Sequence, residues 1–304
     1  MGGGAFDVVT GAFSYTGSGI ARALLREGRS VRTLTGHPGR PGGDPRIEAH
    51  AYRFDDPEGL ARSLEGADCL YNTYWVRFDR GDTTFGGAID RSGILFRAAE
   101  RAGVRRVVHV SVTHPDPESR FPYFRGKAIV EQLLAEICTS WAVVRPTVIF
   151  GPGDILMNNI AWLLRRSPVF ALPGDGAYRV RPVHLDDVAQ LCLELSRADR
   201  PATVDAVGPD TFTFEELVRQ IRGAVGSRSR LVHVDPRVAR LAASAIGLLV
   251  RDVLVTDHEL GGLMTEKAYS DAPATGQLRF APWVREAGPE LGRRYASEIG
   301  RHFT

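Results

Sequence analysis

Tyr123 and Lys127 stand four residues apart in the segment from Phe121 to Val130. At this spacing two side chains share one face of a helix. A phenol has a pKa of about 10 and is a poor base at neutral pH, but a nearby ammonium group favours the phenolate. Lowering the phenol pKa by roughly three units corresponds to about 4 kcal/mol of differential stabilisation, which a close, partly desolvated cation can help to supply. The pair therefore suits proton exchange with the oxygen of a carbonyl or an alcohol.

A hydroxyl that orients the substrate oxygen is the third group that this chemistry needs. Ser111 ends a strand predicted over Val107 to Ser111, and Thr113 follows two residues later. Ser111 is the first candidate for holding the oxygen while Tyr123 exchanges its proton, and Thr113 is the alternative. A Tyr-x-x-x-Lys spacing also arises by chance, as an exposed lysine one turn from a packed tyrosine, so its meaning depends on the surrounding elements.

The element that supplies this context is a strand, a glycine turn and a helix near the start of the sequence. Phe6 to Thr10 predicts a buried strand, and from Gly19 the apolar residues follow a helical period that stops at Gly28. In such a unit the first helical N–H groups face a dinucleotide phosphate. The residues predicted to form this cofactor site are Gly11, Ser14, Tyr15, Thr16 and Gly17.

Three of these residues follow a Gly-x-x-Gly-x-x-Gly pattern, with serine at the middle position. Gly11 permits the tight turn, and Gly17 lets the backbone approach a pyrophosphate or lets the helix approach the strand. The Ser14 hydroxyl could donate a hydrogen bond to a phosphate. The alternative is a plain strand–turn–helix unit that binds no ligand.

The second predicted strand, Ser30 to Thr35, precedes the region that selects between NAD and NADP. An acid there accepts from the ribose 2′-hydroxyl of NAD, whereas basic residues favour the 2′-phosphate of NADP. The tip, from Thr35 to Arg40, contains no carboxylate, and we assign Thr35, His37 and Arg40 to the cofactor. With Arg32 as a further nearby cation, NADP is favoured and NAD remains the alternative. The basic residues could instead be solvated loop charges.

The aspartates after the third predicted strand, Asp55 and Asp56, allow two interpretations. The strand is predicted over Arg46 to Phe54, and Asp55 stands where such folds often contact the adenine. Alternatively, Asp55 or Asp56 caps a helix from Pro57 to Leu64.

The later strands end in further candidates. Asn72 lies at the carboxyl end of a fourth strand, Asp68 to Thr73, and Pro146 follows a sixth strand, Trp141 to Arg145. Both are assigned to the cofactor, because ligands bind at the carboxyl ends of strands in open α/β sheets. The aromatic loop from Tyr74 to Phe78 is either a substrate wall or packing. The alternation of strands and helices predicts an α/β fold with a doubly wound parallel sheet.

Composition limits the class of protein. The chain has 304 residues, of which 43% are hydrophobic and 24% charged, and its net charge is +2. These values are typical of a soluble globular protein, and the small net charge gives no strong field that favours nucleic acid or an anionic membrane. The longest apolar stretch, Val238 to Val250, contains Arg240 and is too short to span a bilayer, so we expect a core or interface helix.

The cysteines and the first residues indicate a cellular compartment. The three cysteines, Cys69, Cys138 and Cys192, lie among apolar neighbours without metal-ligand spacing, so we expect buried free thiols and no metal site. The first five residues lack the charged start and apolar core of a signal peptide. We therefore expect a cytoplasmic protein.

Several motifs together resemble those of short-chain dehydrogenases/reductases of the extended or atypical kind, in the NAD-dependent epimerase/dehydratase superfamily. The motifs also resemble those of atypical members similar to a complex-I accessory subunit, and of other NAD(P)H-binding proteins. The matching segments are Thr10-Gly11-Ala12 with Gly17, Val110-Ser111, Tyr123 with Lys127, Arg145 to Asp154, Pro182 to Ala189 and Val207-Gly208-Pro209. Two positions depart from the family pattern: serine replaces glycine at Ser14, and only 12 positions separate Ser111 from Tyr123.

The resemblance implies a division of the chain and a set of roles. Residues 1–150 would form a dinucleotide-binding Rossmann domain to which 178–207 return, and 151–177 with 208–304 would form a substrate-binding lobe. Ser111, Tyr123 and Lys127 would be the catalytic residues, and Lys127 would also contact the nicotinamide ribose.

These observations predict an NADP(H)-dependent oxidoreductase that reduces a carbonyl or oxidises an alcohol. The alternatives are an epimerase or dehydratase that retains its NAD(P), and a non-catalytic NAD(P)H-binding sensor or assembly factor. The partner is a small-molecule substrate, and the sequence leaves monomer and homodimer open. A dimer would use the helices containing Ile89 to Ala102 and Val130 to Ile137.

Overall fold

The computed structural model describes residues 6–39, 43–297 and 299, and the chain divides into two compact units. The first unit runs to Pro146 and includes Asp186–Ala206, and the second contains Thr147–Leu185 and the chain from Val207 onward. Residues 147–150, 178–185 and 207, which the sequence analysis assigned to the dinucleotide-binding domain, therefore belong to the second unit.

Thirteen strands are described, and they are short. They are β1 (Phe6–Thr10), β2 (Ser30–Thr35), β3 (Ile47–Ala51), β4 (Ala67–Asn72), β5 (Arg106–Val110), β6 (Trp141–Pro146), β7 (Ile149–Phe150), β8 (Val169–Pro173), β9 (Arg179–Val180), β10 (Val183–His184), β11 (Ala202–Ala206), β12 (Phe212–Thr213) and β13 (Arg230–Val234).

Ten helices are described among the same residues. They are α1 (Tyr15–Arg26), α2 (Pro57–Leu64), α3 (Phe85–Arg101), α4 (Pro122–Ile137), α5 (Ile155–Arg166), α6 (Leu185–Ser196), α7 (Phe214–Ala224), α8 (Pro236–Val250), α9 (Asp257–Met264) and α10 (Phe280–Ala287).

A parallel sheet of seven strands forms the centre of the first unit. Its order is β3-β2-β1-β4-β5-β6-β11, and every neighbouring pair is parallel. The strand order reverses between β1 and β4, which is where open α/β sheets bind ligands. The predicted α/β fold is therefore confirmed.

Some element boundaries differ from those expected. Helix α1 begins at Tyr15, four residues before Gly19, because its first turn is polar and does not show in the apolar period. Strand β5 ends at Val110, and Ser111 follows it, although the Ser111 N–H still donates to Val144 O at 2.8 Å.

One buried arginine anchors the returning segment to the sheet. Arg106 of β5 is fully buried and donates to Leu195 O at 2.6 Å and to Arg200 O at 2.9 Å. A guanidinium can bridge several carbonyls because its donors are fixed in a planar fork. The end of α6 and its connection to β11 are thereby held against β5 at Leu195 and Arg200.

The second unit has its own apolar core and three small strand pairs. Strands β8 and β13 are parallel, as are β7 and β10, and β9 pairs antiparallel with β12. Phe150, Phe214 and Phe280 are buried in the core. At the start of α7 the predicted capping box is confirmed: Thr213 and Glu216 each accept a hydrogen bond from the other's backbone N–H.

Helix α8 carries the longest apolar stretch, yet only Ala239 and Gly247 are buried in it. It is therefore not a core helix, because an apolar helix in a core is covered on most sides. None of the helices in the described residues combines the length and the hydropathy that crossing a bilayer requires.

Candidate active site

The glycine turn after β1 has the geometry that the sequence predicted. Gly11 has a φ of +63°, a conformation that favours glycine. A Cβ on Gly17 would lie 2.2 Å from Gly11 O, so glycine is needed there for α1 to approach the turn. Of the two roles considered for Gly17, close packing of helix on strand is the one that the geometry supports.

Ser14 stands at the N-cap position of α1 without capping it. Its hydroxyl donates to Gly11 O at 2.6 Å, so it closes the turn. The first turn of α1, which contains Tyr15 and Thr16, has no acidic residue. The positive end of the helix dipole is thus left without a carboxylate from its own turn, which suits a phosphate.

The tip after β2 is only partly described. Thr35 and the exposed His37 form a local turn in which the His37 N–H donates to Thr35 Oγ1 at 3.2 Å, and Arg40 lies outside the described residues. The guanidinium of Arg32 is paired with Glu48 at 2.9 Å and covers the ring of Phe6. The Arg32 side chain is therefore used for contacts within the sheet and is not part of the loop after β2.

After β3, the capping role falls to one of the two aspartates. Asp56 caps α2 by accepting from the Gly59 N–H at 2.8 Å. Asp55 is exposed beside it. The assignment of Asp55 to the adenine remains a prediction.

Asn72 lies inside a buried hydrogen-bond network at the switch point of the sheet. Its Oδ1 accepts from the Tyr74 N–H at 3.0 Å and lies 3.1 Å from the Thr10 hydroxyl, while its Nδ2 is 3.1 Å from His109 Nδ1. The side chain is fully buried. The Asn72 side chain therefore links the ends of β1, β4 and β5, and its assignment to the cofactor remains a prediction.

The same network defines the protonation of His109. The Tyr74 N–H fixes Oδ1 of Asn72 as the acceptor, so Nδ2 of Asn72 donates to Nδ1 of His109 and the imidazole proton is on Nε2. Burial, and then the charge of Lys127, lower the pKa of His109 well below its usual value. His109 is therefore a neutral residue at the end of β5. Its Nε2 is buried and has no hydrogen-bond partner among the described residues.

Lys127 is the most unusual ionisable residue of the site. It is 3% exposed, and its Nζ donates to Val110 O at 2.9 Å, immediately before Ser111. Burial lowers the pKa of Lys127 from 10.5 to about 7, and Glu131 opposes the shift. Since Glu131 also forms an ion pair with Arg145, its negative charge acts on both Arg145 and Lys127. Such a lysine changes its protonation readily near neutral pH.

The residue type at this position is also distinctive. The chain has 38 basic residues, and only Lys127 and Lys267 are lysines. An arginine cannot lose its proton in a protein, whereas a lysine can. In a chain that otherwise uses arginine, a buried lysine one helical turn after Tyr123 indicates a requirement for a basic group that can change its protonation.

An indole ring connects Tyr123 with Lys127. The Trp75 ring centroid lies 4.8 Å from Lys127 Nζ and 6.1 Å from the Tyr123 ring, which it meets edge-on. A Cβ on Gly126 would lie 2.7 Å from Trp75, so glycine is needed for the ring to pack on α4. The loop from Tyr74 to Phe78 therefore contacts the Tyr–Lys pair at Trp75. Elsewhere it serves as packing, with Tyr74 lying against Tyr52 and Phe54.

The two candidate hydroxyls have different surroundings. Ser111 Oγ is buried and has no hydrogen-bond partner among the described residues. Thr113 is fully buried, and both its N–H and its hydroxyl face Pro146 O, at 3.2 Å and 3.5 Å. Pro146 itself is buried at the end of β6. An unpartnered buried hydroxyl is costly unless a ligand uses it, so the geometry favours Ser111 as the orienting group.

We expect Ser111→Ala to reduce turnover more than Thr113→Val does. Replacing Ser111 removes a hydroxyl that has no structural partner, so its effect should fall on kcat/KM and leave the thermal denaturation midpoint within a few degrees. Replacing Thr113 removes a backbone contact, so its effect should fall on stability instead. Steady-state kinetics and thermal denaturation of both variants check this. A larger kinetic loss in Thr113→Val would assign the role to Thr113.

Sequence analysis did not identify His109 or the packing of Trp75 on Gly126 as parts of the site. His109 interrupts a strand of valines, and a polar residue inside an apolar strand is the signal that could have identified it. Gly126 stands directly before the predicted lysine, but its role depends on a ring fifty-one positions earlier in the chain.

The residues present fit a nicotinamide dinucleotide. The glycine turn brings α1 close to β1, and the start of α1 has neither a side-chain cap nor an acidic residue. The buried ammonium of Lys127 and the unpartnered Ser111 hydroxyl stand together after β5. Fold and site thus define a dinucleotide-dependent enzyme of the short-chain dehydrogenase/reductase type.

The chain belongs to the NAD-dependent epimerase/dehydratase family, whose model matches residues 8–206. The match covers the whole seven-stranded sheet except the first two residues of β1. The family resemblance noted in the sequence is therefore confirmed, and a nicotinamide dinucleotide is the cofactor class that family and fold support.

Three comparisons illustrate the range of relatives. The mitochondrial NADH-ubiquinone oxidoreductase 40 kDa subunit of Neurospora crassa is 25% identical over 260 residues, which are 80% of this chain and 66% of that protein. The ceramide reductase of Caulobacter vibrioides is 27% identical over 242 residues, 77% of this chain and 75% of that protein. A triphenylmethane reductase from Citrobacter sp., complexed with NADP(H), has the same fold at a TM-score of 0.72 and 15% identity, over 93% of this chain and 99% of that one.

Proposed function

We propose that this protein is an NADP(H)-dependent oxidoreductase that reduces a carbonyl or oxidises an alcohol through Ser111, Tyr123 and Lys127. The observation that carries the proposal is the placement of Lys127. Its buried ammonium donates to the carbonyl of Val110, directly beside Ser111, and lies on the same helix as Tyr123. A cation held at this position lowers the cost of forming the Tyr123 phenolate.

In the reducing direction, the three side chains act on the oxygen of the substrate. A nicotinamide cofactor, when bound, would supply the hydride that the carbonyl carbon accepts. The Ser111 hydroxyl donates a hydrogen bond to the oxygen, and Tyr123 transfers its phenolic proton to the same oxygen. Lys127 stabilises the phenolate that remains. Oxidation of an alcohol uses the same groups in reverse, with Tyr123 as the base.

Preference for NADP is supported by the absence of a carboxylate from residues 35–40. We expect NADPH to bind more tightly than NADH in calorimetric titrations, and Arg40→Ala together with His37→Ala to narrow the difference. The matched control is Arg46→Ala, since Arg46 is an exposed arginine directly before the amino end of β3, whereas the tip follows the carboxyl end of the parallel strand β2, and it is paired with Asp44 at 2.7 Å. Equal affinities for the two cofactors in the unaltered protein would reject the NADP assignment.

Two alternatives follow from the relatives. An epimerase or dehydratase would use the same hydride transfer but return the hydride within one turnover, so no net change in NADPH would be seen. A sensor or assembly factor would need only the nucleotide site, and one relative is named as a subunit of NADH-ubiquinone oxidoreductase. The retention of a buried lysine beside Tyr123 favours an enzyme over a sensor, and a relative named as a ceramide reductase favours net reduction.

A substrate screen tests the reaction itself. Aldehydes and ketones are offered with NADPH, whose absorbance reports net reduction, and nucleotide sugars are offered with NAD+ or NADP+, where product analysis detects epimerised or dehydrated sugars. Oxidation of NADPH that depends on a carbonyl supports the oxidoreductase. Conversion of a nucleotide sugar with the oxidised cofactor, without net formation of NADH or NADPH, would assign the epimerase or dehydratase instead. We assign selection of the substrate to the second unit.

A further inference from the structure

Helix α8 carries an apolar stripe on its exposed face. The stripe consists of Val238, Leu241, Ala242, Ala245, Leu248 and Leu249. Leu248 and Leu249 are each 82% exposed, Leu241 is 71% exposed and Val238 is 54% exposed. These four are the most exposed of the eight large apolar side chains exposed in the described part of the chain. An apolar face of this kind on a folded protein marks an interaction site.

The stripe faces away from the body of its unit. At about 100° per residue, its six positions occupy an arc of about 120° on the helix. The two buried residues, Ala239 and Gly247, lie on the opposite side, and a Cβ on Gly247 would lie 2.6 Å from Asp252 O. The helix is therefore fastened to its unit by one side and presents the apolar side outward.

Basic residues follow one border of the stripe. Arg237 and Arg240 are on that side of the helix, and Arg251 follows its last turn. The helix contains no carboxylate. Arg240 makes an exposed ion pair with Asp257 at 3.3 Å, which is weak in water and does not prevent other contacts. The outward surface of α8 is thus apolar with a positively charged edge.

We propose that α8 docks this protein on the surface of an anionic lipid bilayer. The stripe would enter the boundary between headgroups and acyl chains, and the arginines would contact lipid phosphates. The helix is too short to cross the membrane, so it lies in the interface. A protein-binding face would be expected to carry aromatic anchors, and α8 contains none. This proposal concerns the second unit and does not depend on the proposed reaction.

Flotation with vesicles tests the docking. The protein is mixed with vesicles of phosphatidylcholine, or of phosphatidylcholine with about one third phosphatidylglycerol, at low and high salt. We expect binding to the anionic vesicles that weakens with salt. Leu248→Glu combined with Leu249→Glu should lower the partition coefficient by at least about tenfold. Arg237→Gln combined with Arg251→Gln should reduce binding at low salt and have less effect at high salt.

Two controls keep the result specific. Leu156→Glu changes an exposed leucine on α5, 43% exposed, and should leave vesicle binding unchanged. Leu241→Ser is a milder change in the stripe, to be used if the double glutamate variant has a lowered denaturation midpoint. Lack of binding to either vesicle would overturn the proposal. So would self-association that Leu248→Glu abolishes without any vesicle binding, because that result assigns the stripe to a second copy of the chain.

Discussion

Tyr123→Phe should lower turnover of any accepted substrate by about 10²- to 10⁴-fold, the range typical of losing a general acid. The change removes one hydroxyl and keeps the ring, which packs edge-on against Trp75 and Phe85 at 6.1 Å and 6.3 Å. Nucleotide affinity and the thermal denaturation midpoint should therefore hardly change. Steady-state kinetics, with calorimetric titration of NADPH, measure the two effects separately.

The matched control for this variant is Tyr178→Phe. Tyr178 is a buried tyrosine of the second unit, stacked on Phe214, and its hydroxyl has no hydrogen-bond partner among the described residues. Removal of that hydroxyl should leave both turnover and affinity intact. Undiminished turnover in Tyr123→Phe would refute the proton transfer, whatever the substrate, and the sensor hypothesis predicts no effect of this change on any function.

Lys127→Met should weaken cofactor binding and lower turnover together, because we assign Lys127 both a ribose contact and the stabilisation of the Tyr123 phenolate. Methionine has a similar length and fits the buried position beside Trp75 without a charge. The control is Lys267→Met, which changes the only other lysine of the chain. If Lys127→Met loses turnover but binds NADPH normally, the ribose contact is rejected and the catalytic role of Lys127 is retained.

Lys127→Met should also change how the free energy of unfolding depends on pH, and this can be measured without a substrate. The pKa of Lys127 is about 7 in the folded protein, below its ordinary value of 10.5. Between these values the unfolded chain binds a proton that the folded chain does not, so the free energy of unfolding of the wild type rises with pH relative to Lys127→Met. The slope of that difference is at most about 1.4 kcal/mol per pH unit, and below pH 7 it vanishes because both states are protonated.

Denaturant titrations of both proteins from pH 6 to pH 10 measure this difference, in which the other titrating groups cancel. The cost of burying the charged lysine is greatest at the acid end, so Lys127→Met should be more stable than the wild type there and lose this advantage as the pH rises. A difference that does not vary with pH would mean that Lys127 keeps its ordinary pKa in the folded protein.

Local patterns were sufficient to predict the order of elements and the main chemistry. The bounds of β1 and β2 agree with those expected, because each is a short apolar run ended by a turn. The capping box of α7 was predictable for the same reason, since Thr213 and Glu216 are three residues apart. The start of α1 was placed too late, because capping and the polar first turn do not contribute to an apolar period.

The alternatives that the sequence left open depended on contacts between distant residues. Asp56, rather than Asp55, caps α2, which follows from the direction of the chain as it leaves β3. Arg32 is paired with Glu48 on the neighbouring strand. The sequence analysis took its positive charge as one that could favour NADP, but the side chain is used within the sheet. Asn72 was assigned from its strand-end position, but its burial against His109 depends on the register of β4 and β5.

The sequence by itself determined the alternation of strands and helices, the glycine turn and the spacing of Tyr123 and Lys127, because these depend on residues a few positions apart. Only the tertiary structure decided how those residues behave. The lowered pKa of Lys127 comes from burial beneath Trp75, and the difference between Ser111 and Thr113 comes from the carbonyl of Pro146. Desolvation and hydrogen-bond partners are set by groups that are distant in the chain and meet only in the folded protein.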